Sequence, residues 1–203
     1  MDGVSVRSAT VADAPAIARV HWDSWVATYT GVFPQQSFDE FPLAQRERLW
    51  AREAGLNAEA ERRSQLLVAF EGADVVGFAS VGPYRVQTAD PAEAALDGEL
   101  RALYFDPCRQ RRGIGRRLWR GAVQQLRSAG FSALRLWCVA GNDAEAFYRA
   151  MGAECIGSMP FDAHGVPLRE HCYRVEPLRA CSDTLTRLAR RRPCASTFPN
   201  RRS

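Results

Sequence analysis

Residues 99–118 read Glu-Leu-Arg-Ala-Leu-Tyr-Phe-Asp-Pro-Cys-Arg-Gln-Arg-Arg-Gly-Ile-Gly-Arg-Arg-Leu, a strand, a basic glycine loop and the start of a helix in direct succession. Leu100, Leu103 and Phe105 lie among β-competent residues, and Asp106-Pro107 stops the strand. From Ile114 apolar residues recur at Leu118, Ala122, Val123 and Leu126, which is helical spacing. The loop therefore delivers backbone N–H groups at a helix N-terminus, where they lack intrahelical partners and face the positive end of the helix dipole. An anion placed there is stabilised by hydrogen bonds and field together, so the stretch is expected to take a phosphate-bearing cofactor. Gly113 and Gly115 are expected to let the anion approach the backbone. Arg109, Arg111, Arg112, Arg116, Arg117 and Arg120 surround the loop with charge suited to phosphate oxygens.

Two common nucleotide-binding motifs do not fit this stretch. A dinucleotide fingerprint needs a third glycine where Leu118 stands, and a P-loop needs Gly-Lys-Ser/Thr in a chain that has no lysine. What remains is Gln110-x-x-Gly113-x-Gly115, with Glu99 eleven positions before the Gln. Downstream stands Asn142-Asp-Ala-Glu-Ala-Phe-Tyr148-Arg-Ala-Met-Gly152-Ala. With both segments in this order and at this separation, the chain resembles the GNAT superfamily of acetyl-CoA-dependent N-acetyltransferases. The resemblance covers most of residues 4–178 and is densest between 97 and 159.

The resemblance implies an α/β (α+β) fold, a mixed, mostly antiparallel central sheet of about seven strands flanked by about four helices. The sheet would be splayed between the strands ending at Phe105 and Val139. Acetyl-CoA would serve as cosubstrate, its pantetheine on the backbone of Leu103, Tyr104 and Phe105 and its pyrophosphate on Arg111, Arg112, Gly113, Ile114, Gly115 and Arg116. Gln110 stands at the family's motif position, and Asn142 where a side chain contacts the pantetheine arm. An amine acceptor would attack the thioester directly in a ternary complex, which needs a base, a donor near sulfur and strict alignment. Glu99 holds the base position of many family members, acting directly or through a water; the alternative is a solvated charge or an ion pair with a nearby Arg. Tyr148 matches the tyrosine that donates to the CoA sulfur, and its alternative is packing against Phe105. Asn142 is also a good helix N-cap.

From its N-terminus the chain reads as a strand over Val4 to Ser8, a helix capped by Thr10 and beginning near Val11, and a second helical segment from Phe38 to about Ala54. Gln65 to Phe70 and Val75 to Val81 form a hairpin across Glu71-Gly72-Ala73-Asp74. Residues 82–96 are irregular. Strands follow over Ala133 to Val139, Ala153 to Met159 and His171 to Val175, the last two joined across residues 162–167, with a short helix after Asn142. Trp22, Trp25, Tyr29 and Tyr84 are candidates for lining the acceptor pocket. The helical spacing of the first three reads as core as well. Asp90, Glu93, Asp97 and Glu99 would draw a cationic acceptor. A small amine, an amino acid, an antibiotic and a peptide N-terminus all remain open.

The net charge of +4 divides unevenly. Residues 179–203 hold seven Arg and one Asp, so the remainder sums to −2. We therefore expect a domain over 1–178 and a flexible Arg-rich tail over 179–203. All 27 basic residues are Arg, which in an alanine-rich chain suggests a GC-rich bacterial genome. The sequence shows neither a membrane span nor a signal peptide, so a cytoplasmic protein is expected. The six cysteines form no Cys-x-x-Cys pair and His21, His164 and His171 offer no ligand spacing, so neither disulfides nor a metal are expected. Serines lack a nucleophile-elbow context, which argues against an acyl-enzyme. The family's habit of pairing subunits leaves a homodimer open. Alternatives are a non-catalytic acyl-CoA-binding regulator, against which the pair Glu99 and Tyr148 argues, and nucleic-acid association through the tail, for which no recognition helix or stacking pattern is present.

Overall fold

The computed structural model describes residues 3–58, 63–85, 97–109 and 112–178. Seven strands, β1 (Ser5–Ser8), β2 (Gln65–Glu71), β3 (Asp74–Pro83), β4 (Asp97–Phe105), β5 (Ala133–Val139), β6 (Glu154–Ala163) and β7 (Val166–Val175), form one sheet in the order β1-β2-β3-β4-β5-β7-β6. Only the β4–β5 pair is parallel. Five α-helices accompany the sheet among the described residues: α1 (Ala14–Tyr29), α2 (Gln35–Asp39), α3 (Leu43–Gly55), α4 (Ile114–Ser128) and α5 (Ala144–Ala150). On one face, Ile17, Ala18 and Val20 of α1 and Trp50 of α3 pack on Leu66, Val68, Phe78 and Ala102. On the other, Leu118, Trp119, Ala122 and Leu126 of α4 pack on Leu67, Val76, Val81, Leu100, Leu134 and Leu136. The expected tail, with Cys181 and Cys194, lies outside the described residues, as do Gln110, Arg111, Asp90 and Glu93.

Three boundaries differ from the sequence reading, each for a local reason. The first helix opens with a 3-10 turn, Val11–Asp13, in which Thr10 and Asp13 form a capping box. The second helical segment divides into α2 and α3 because Pro42, extended at φ −70° and ψ 169°, cannot continue a helix and instead caps α3. The last two strands are longer than expected and pair as far as Ala163 and Val166. Only His164 and Gly165 remain in the turn, both at positive φ, as a two-residue hairpin loop of the I′ kind requires.

Asp13 ties β1 to α1. Its carboxylate accepts from Arg7 Nη1 at 2.7 Å and Nη2 at 2.9 Å and from the Thr10 backbone N–H at 2.7 Å. The Arg7 guanidinium holds its pKa down at about 2. A depressed carboxylate contributes stability that is complete above its unfolded pKa near 4 and is lost as pH falls toward 2. Asp13→Asn is expected to cost about 1–2 kcal/mol at pH 7, reduced by the partial exposure of Arg7. The deficit relative to the parent should shrink to nothing near pH 2 in denaturant titrations run at each pH.

The feature that positions the site is the join between β4 and β5. The two strands pair only at Asp97↔Ala133, Gly98↔Leu134 and Glu99↔Arg135. Beyond that point β4 stays with β3 as far as Phe105↔Gly77, and β5 stays with β7 as far as Val139↔Glu170. The strands therefore diverge, leaving a V-shaped gap in the middle of the sheet. At its closed end Asp97, fully buried, accepts from Arg135 Nε and from Arg174 Nε and Nη2, both at 3.2 Å. A bulge at Arg101 in β4 reverses the alternation, so Leu100, Leu103 and Phe105 face α4 while Ala102 and Tyr104 face α1 and α3.

Candidate active site

The open end of the gap meets the N-terminus of α4. Gly113 caps this helix in the left-handed conformation, φ 81°, with no side chain bonded to the helix end. The first intrahelical bond runs from the Arg117 N–H to the Gly113 carbonyl at 3.1 Å, so the N–H groups of Ile114, Gly115 and Arg116 precede it. Gly115 has a packing reason to be glycine beside the one expected. A Cβ there would stand 3.3 Å from Phe105 and 3.4 Å from Phe147, so its lack of a side chain serves ring packing beneath the loop. The basic surround also divides. Arg109 pairs with Glu71 at 2.8 Å and Asp74 at 2.9 Å, and Arg112 with Glu71 at 3.1 Å, whereas Arg116, Arg117 and Arg120 are exposed without an ion pair among the described residues. Glu71 and Asp74 flank the β2–β3 turn, so two of the expected phosphate-binding arginines anchor the loop to that hairpin.

Helix α5 stands over the β5 side of the gap. Asn142 accepts the Ala144 N–H at 2.8 Å, which caps the helix, and its Nδ2 reaches the Tyr29 hydroxyl at 3.5 Å. Glu145 fastens the helix to β7 by its contact with His171 Nδ1 at 2.6 Å; it also accepts from Arg149 of the same helix at 2.9 Å, and Arg149 donates to the Tyr173 hydroxyl of β7 at 2.6 Å. Burial pushes the Glu145 carboxyl up, but these partners hold it below its ordinary value. Tyr148 packs against Trp119, Phe147 and Tyr173, and its hydroxyl makes no hydrogen bond among the described residues. Burial, with Cys138, Tyr104 and Tyr29 nearby, drives its pKa far up. Burial likewise pushes the Cys138 thiol and the Tyr104 phenol up to about 12, so all these groups stay protonated and neutral.

Glu99 lies on the α1/α3 side, 4 % exposed, and is not free. Arg85 Nε and Nη2 each reach it at 2.8 Å, and Arg101 Nε approaches at 3.6 Å. With Asp97 also between arginines, the acidic residues at this end of β4 are compensated, which removes them as an electrostatic draw for cations. Tyr84 lies buried beneath Arg135, whose guanidinium carbon sits 4.9 Å from the ring. Trp22 and Trp25 flank the buried Arg46, and Trp25 and Tyr29 continue into Phe33 and Phe38. The two tryptophans therefore belong to an aromatic cluster packed around Arg46 and Phe38. Arg46 Nη1 meets His21 Nε2 at 2.8 Å, and the Trp50 indole meets Nδ1 at 3.0 Å. Burial, reinforced by the Arg46 charge, lowers His21 to about 3 and keeps it uncharged.

A gap between parallel strands, closed at one end and meeting at the other a helix N-terminus with no side-chain cap, is what an extended chain ending in a pyrophosphate requires. The acetyltransferase (GNAT) family model matches residues 17–153. The chain belongs to the GNAT family. It is similar to the uncharacterized N-acetyltransferase YuaI of Bacillus subtilis (strain 168), 32% identical over 167 residues, which are 82% of this chain and 90% of that protein. The PaiA N-acetyltransferase of Thermoplasma acidophilum, crystallised with coenzyme A, shares the fold at a TM-score of 0.68 and 18% identity, covering 86% of this chain and 99% of that one. The ribosomal-protein-alanine N-acetyltransferase of Brucella melitensis aligns at a TM-score of 0.64 and 26% identity over 85% of this chain and 99% of that one.

Two features of this GNAT domain were missed by the sequence reading, the Asp97–Arg135–Arg174 cluster and the buried Arg46–His21 pair, and the ion pair left open for Glu99 is made by Arg85. Arg85 stands 14 residues before Glu99, and only the β3–β4 pairing brings them together. Among the described residues no helix is long and apolar enough to cross a membrane, and no group of three or more His, Cys, Asp or Glu could hold a metal. The described cysteines, Cys108, Cys138, Cys155 and Cys172, are free thiols.

Proposed function

We propose that this GNAT protein is an N-acetyltransferase that moves the acetyl group of acetyl-CoA to an amine by direct attack in a ternary complex. The observation that carries the reading is the three-pair β4–β5 join opening toward the N-terminus of α4, which has no side-chain cap. The unpaired edge of β4 at Leu103, Tyr104 and Phe105 suits the amide groups of pantetheine. The N–H groups of Ile114, Gly115 and Arg116 suit its pyrophosphate, with Arg116 adding charge. Gln110, Arg111 and Arg112 are carried as further contacts, although Arg112 would first have to leave Glu71. Asn142 both caps α5 and stands beside the arm. Acetyl-CoA supplies the thioester, and the chain's task is to align it, receive the amine's proton and stabilise the departing sulfur.

In this reading Tyr148 donates to the sulfur. Glu99 is the base on the acceptor side, taking the proton through a water once Arg85 releases one carboxylate oxygen. Trp25, Tyr29 and Tyr84 border the acceptor space, and Trp22 supports them from behind. The test is release of free thiol from acetyl-CoA against a panel of primary amines, amino acids, antibiotics and short peptides, with CoA affinity measured by calorimetry. Acceptor-dependent release is expected, and Glu99→Gln should lower it tenfold or more with CoA affinity unchanged. CoA binding with no release for any acceptor would favour the acyl-CoA-binding regulator.

A further inference from the structure

Glu170 has no assigned role and an environment unlike that of the other acids on its face. In β7 it stands opposite Val139 of β5 and Met159 of β6. Directly opposed residues of antiparallel strands point to one side of a sheet, so Glu170, Val139 and Met159 share a face, and alternation adds the opposed pair Phe161 and Leu168. The Phe33–Phe161 contact, 6.1 Å between centroids, identifies that face as the one under the α1–α2 connection. Tyr29 lies 4.9 Å from Phe33 on the same wall. Tyr29, Phe33, Met159, Phe161 and Leu168 are all partly exposed, so the wall is an apolar surface at the mouth of the gap, level with the last residue of β5.

Within this wall Glu170 is half-buried and makes no hydrogen bond or ion pair among the described residues. The contrast with Asp97, held by two arginines, and Glu99, held by Arg85, is complete. Its charge bears on Tyr29, Tyr104 and Cys138, and these groups in turn bear on Tyr148. Burial with no compensating partner pushes its own pKa up, which is the state an arriving cation relieves.

We propose that Glu170 receives the ammonium group of the acceptor, and that the acceptor is a primary amine on an apolar or aromatic body that packs on Tyr29, Phe33, Met159 and Phe161. An acceptor with a carboxylate beside its amine is disfavoured, because that carboxylate would face Glu170. Arg46, the buried cation on this side, is already enclosed by Trp22, Trp25, Phe41 and His21. The word acceptor rests on the acetyltransferase reading, but the docking itself does not need turnover.

The experiment titrates 2-phenylethylamine, phenylalanine and 2-phenylethanol into the CoA-saturated full-length protein by calorimetry, with thiol release from acetyl-CoA followed in parallel. The amine is expected to bind at least tenfold more tightly than either the amino acid or the neutral alcohol. Glu170→Gln should weaken the amine at least tenfold, raising KM far more than it lowers kcat, with CoA affinity and melting temperature retained. Equal affinity for the amine and the alcohol in the parent protein overturns the proposal without recourse to any variant. Absence of amine binding, or binding indifferent to Glu170→Gln, overturns it too. Glu170-dependent binding without thiol release keeps the docking and removes the transferase reading; release unaffected by Glu170→Gln does the reverse.

Discussion

Tyr148→Phe is expected to lower acceptor-dependent thiol release by about 10²-fold or more while leaving CoA affinity within a factor of about three. The substitution removes one oxygen and no packing, since the ring contacts with Trp119, Phe147 and Tyr173 are made by carbon. Because that hydroxyl has no hydrogen-bond partner among the described residues, its removal should leave the melting temperature unchanged or slightly raised. This outcome separates a functional tyrosine from a packing one, which would lose stability and keep turnover. The direction of the pKa also narrows the role. A phenol driven far above its ordinary value does not surrender its proton to a thiolate, whose own pKa is near 8.5. Tyr148 would therefore stabilise the leaving sulfur by donating a hydrogen bond, and the rate should show no loss from tyrosine ionisation up to about pH 10.

Asp97→Ala should produce the largest loss of stability, about 3–5 kcal/mol, seen as a melting temperature lower by roughly 6–20 °C. Asp97 is fully buried and is the shared acceptor for Arg135 of β5 and Arg174 of β7. Removing it takes away the buried acceptor that Arg135 and Arg174 share, while Arg174 keeps its contact with Glu176. Asp97→Asn should be milder, because the amide oxygen still accepts one hydrogen bond. A melting temperature unchanged in both variants would show that the cluster adds nothing to the join.

The succession of β4, loop and α4 was legible because each element carries its own signal: alternation in Leu103 and Phe105, the Asp106-Pro107 stop, and the helical spacing from Ile114. The family motif supplied the candidates that follow from it, Glu99, Tyr148 and Asn142. What could not be read depends on pairings between distant parts of the chain. Gly115 looked like room for an anion, and only the fold shows Phe147 packed over it. Arg109 and Arg112 looked like phosphate ligands, but Glu71 and Asp74 reach them from another hairpin. In a chain whose basic residues are all arginine, composition cannot tell a paired arginine from a free one. Glu170, between Arg169 and His171, carries no signal of its own in the sequence. Its face emerges only from the register with Val139 and Met159, and its lack of an ion-pair partner among the described residues only from the fold.

The brevity of the β4–β5 join has a mechanical consequence. Backbone hydrogen bonds divide the sheet into a four-strand leaf, β1 to β4, and a three-strand leaf, β5 to β7, hinged on three residue pairs and clasped at one end by Asp97. Leu118, Trp119, Ala122 and Leu126 of α4 belong to one core with Val81 and Leu100 of the first leaf and Leu134 and Leu136 of the second. The helix whose N-terminus faces the gap is thus also the fastener between the leaves. A ligand docked on its first turn would therefore sit on the element that holds the two leaves together.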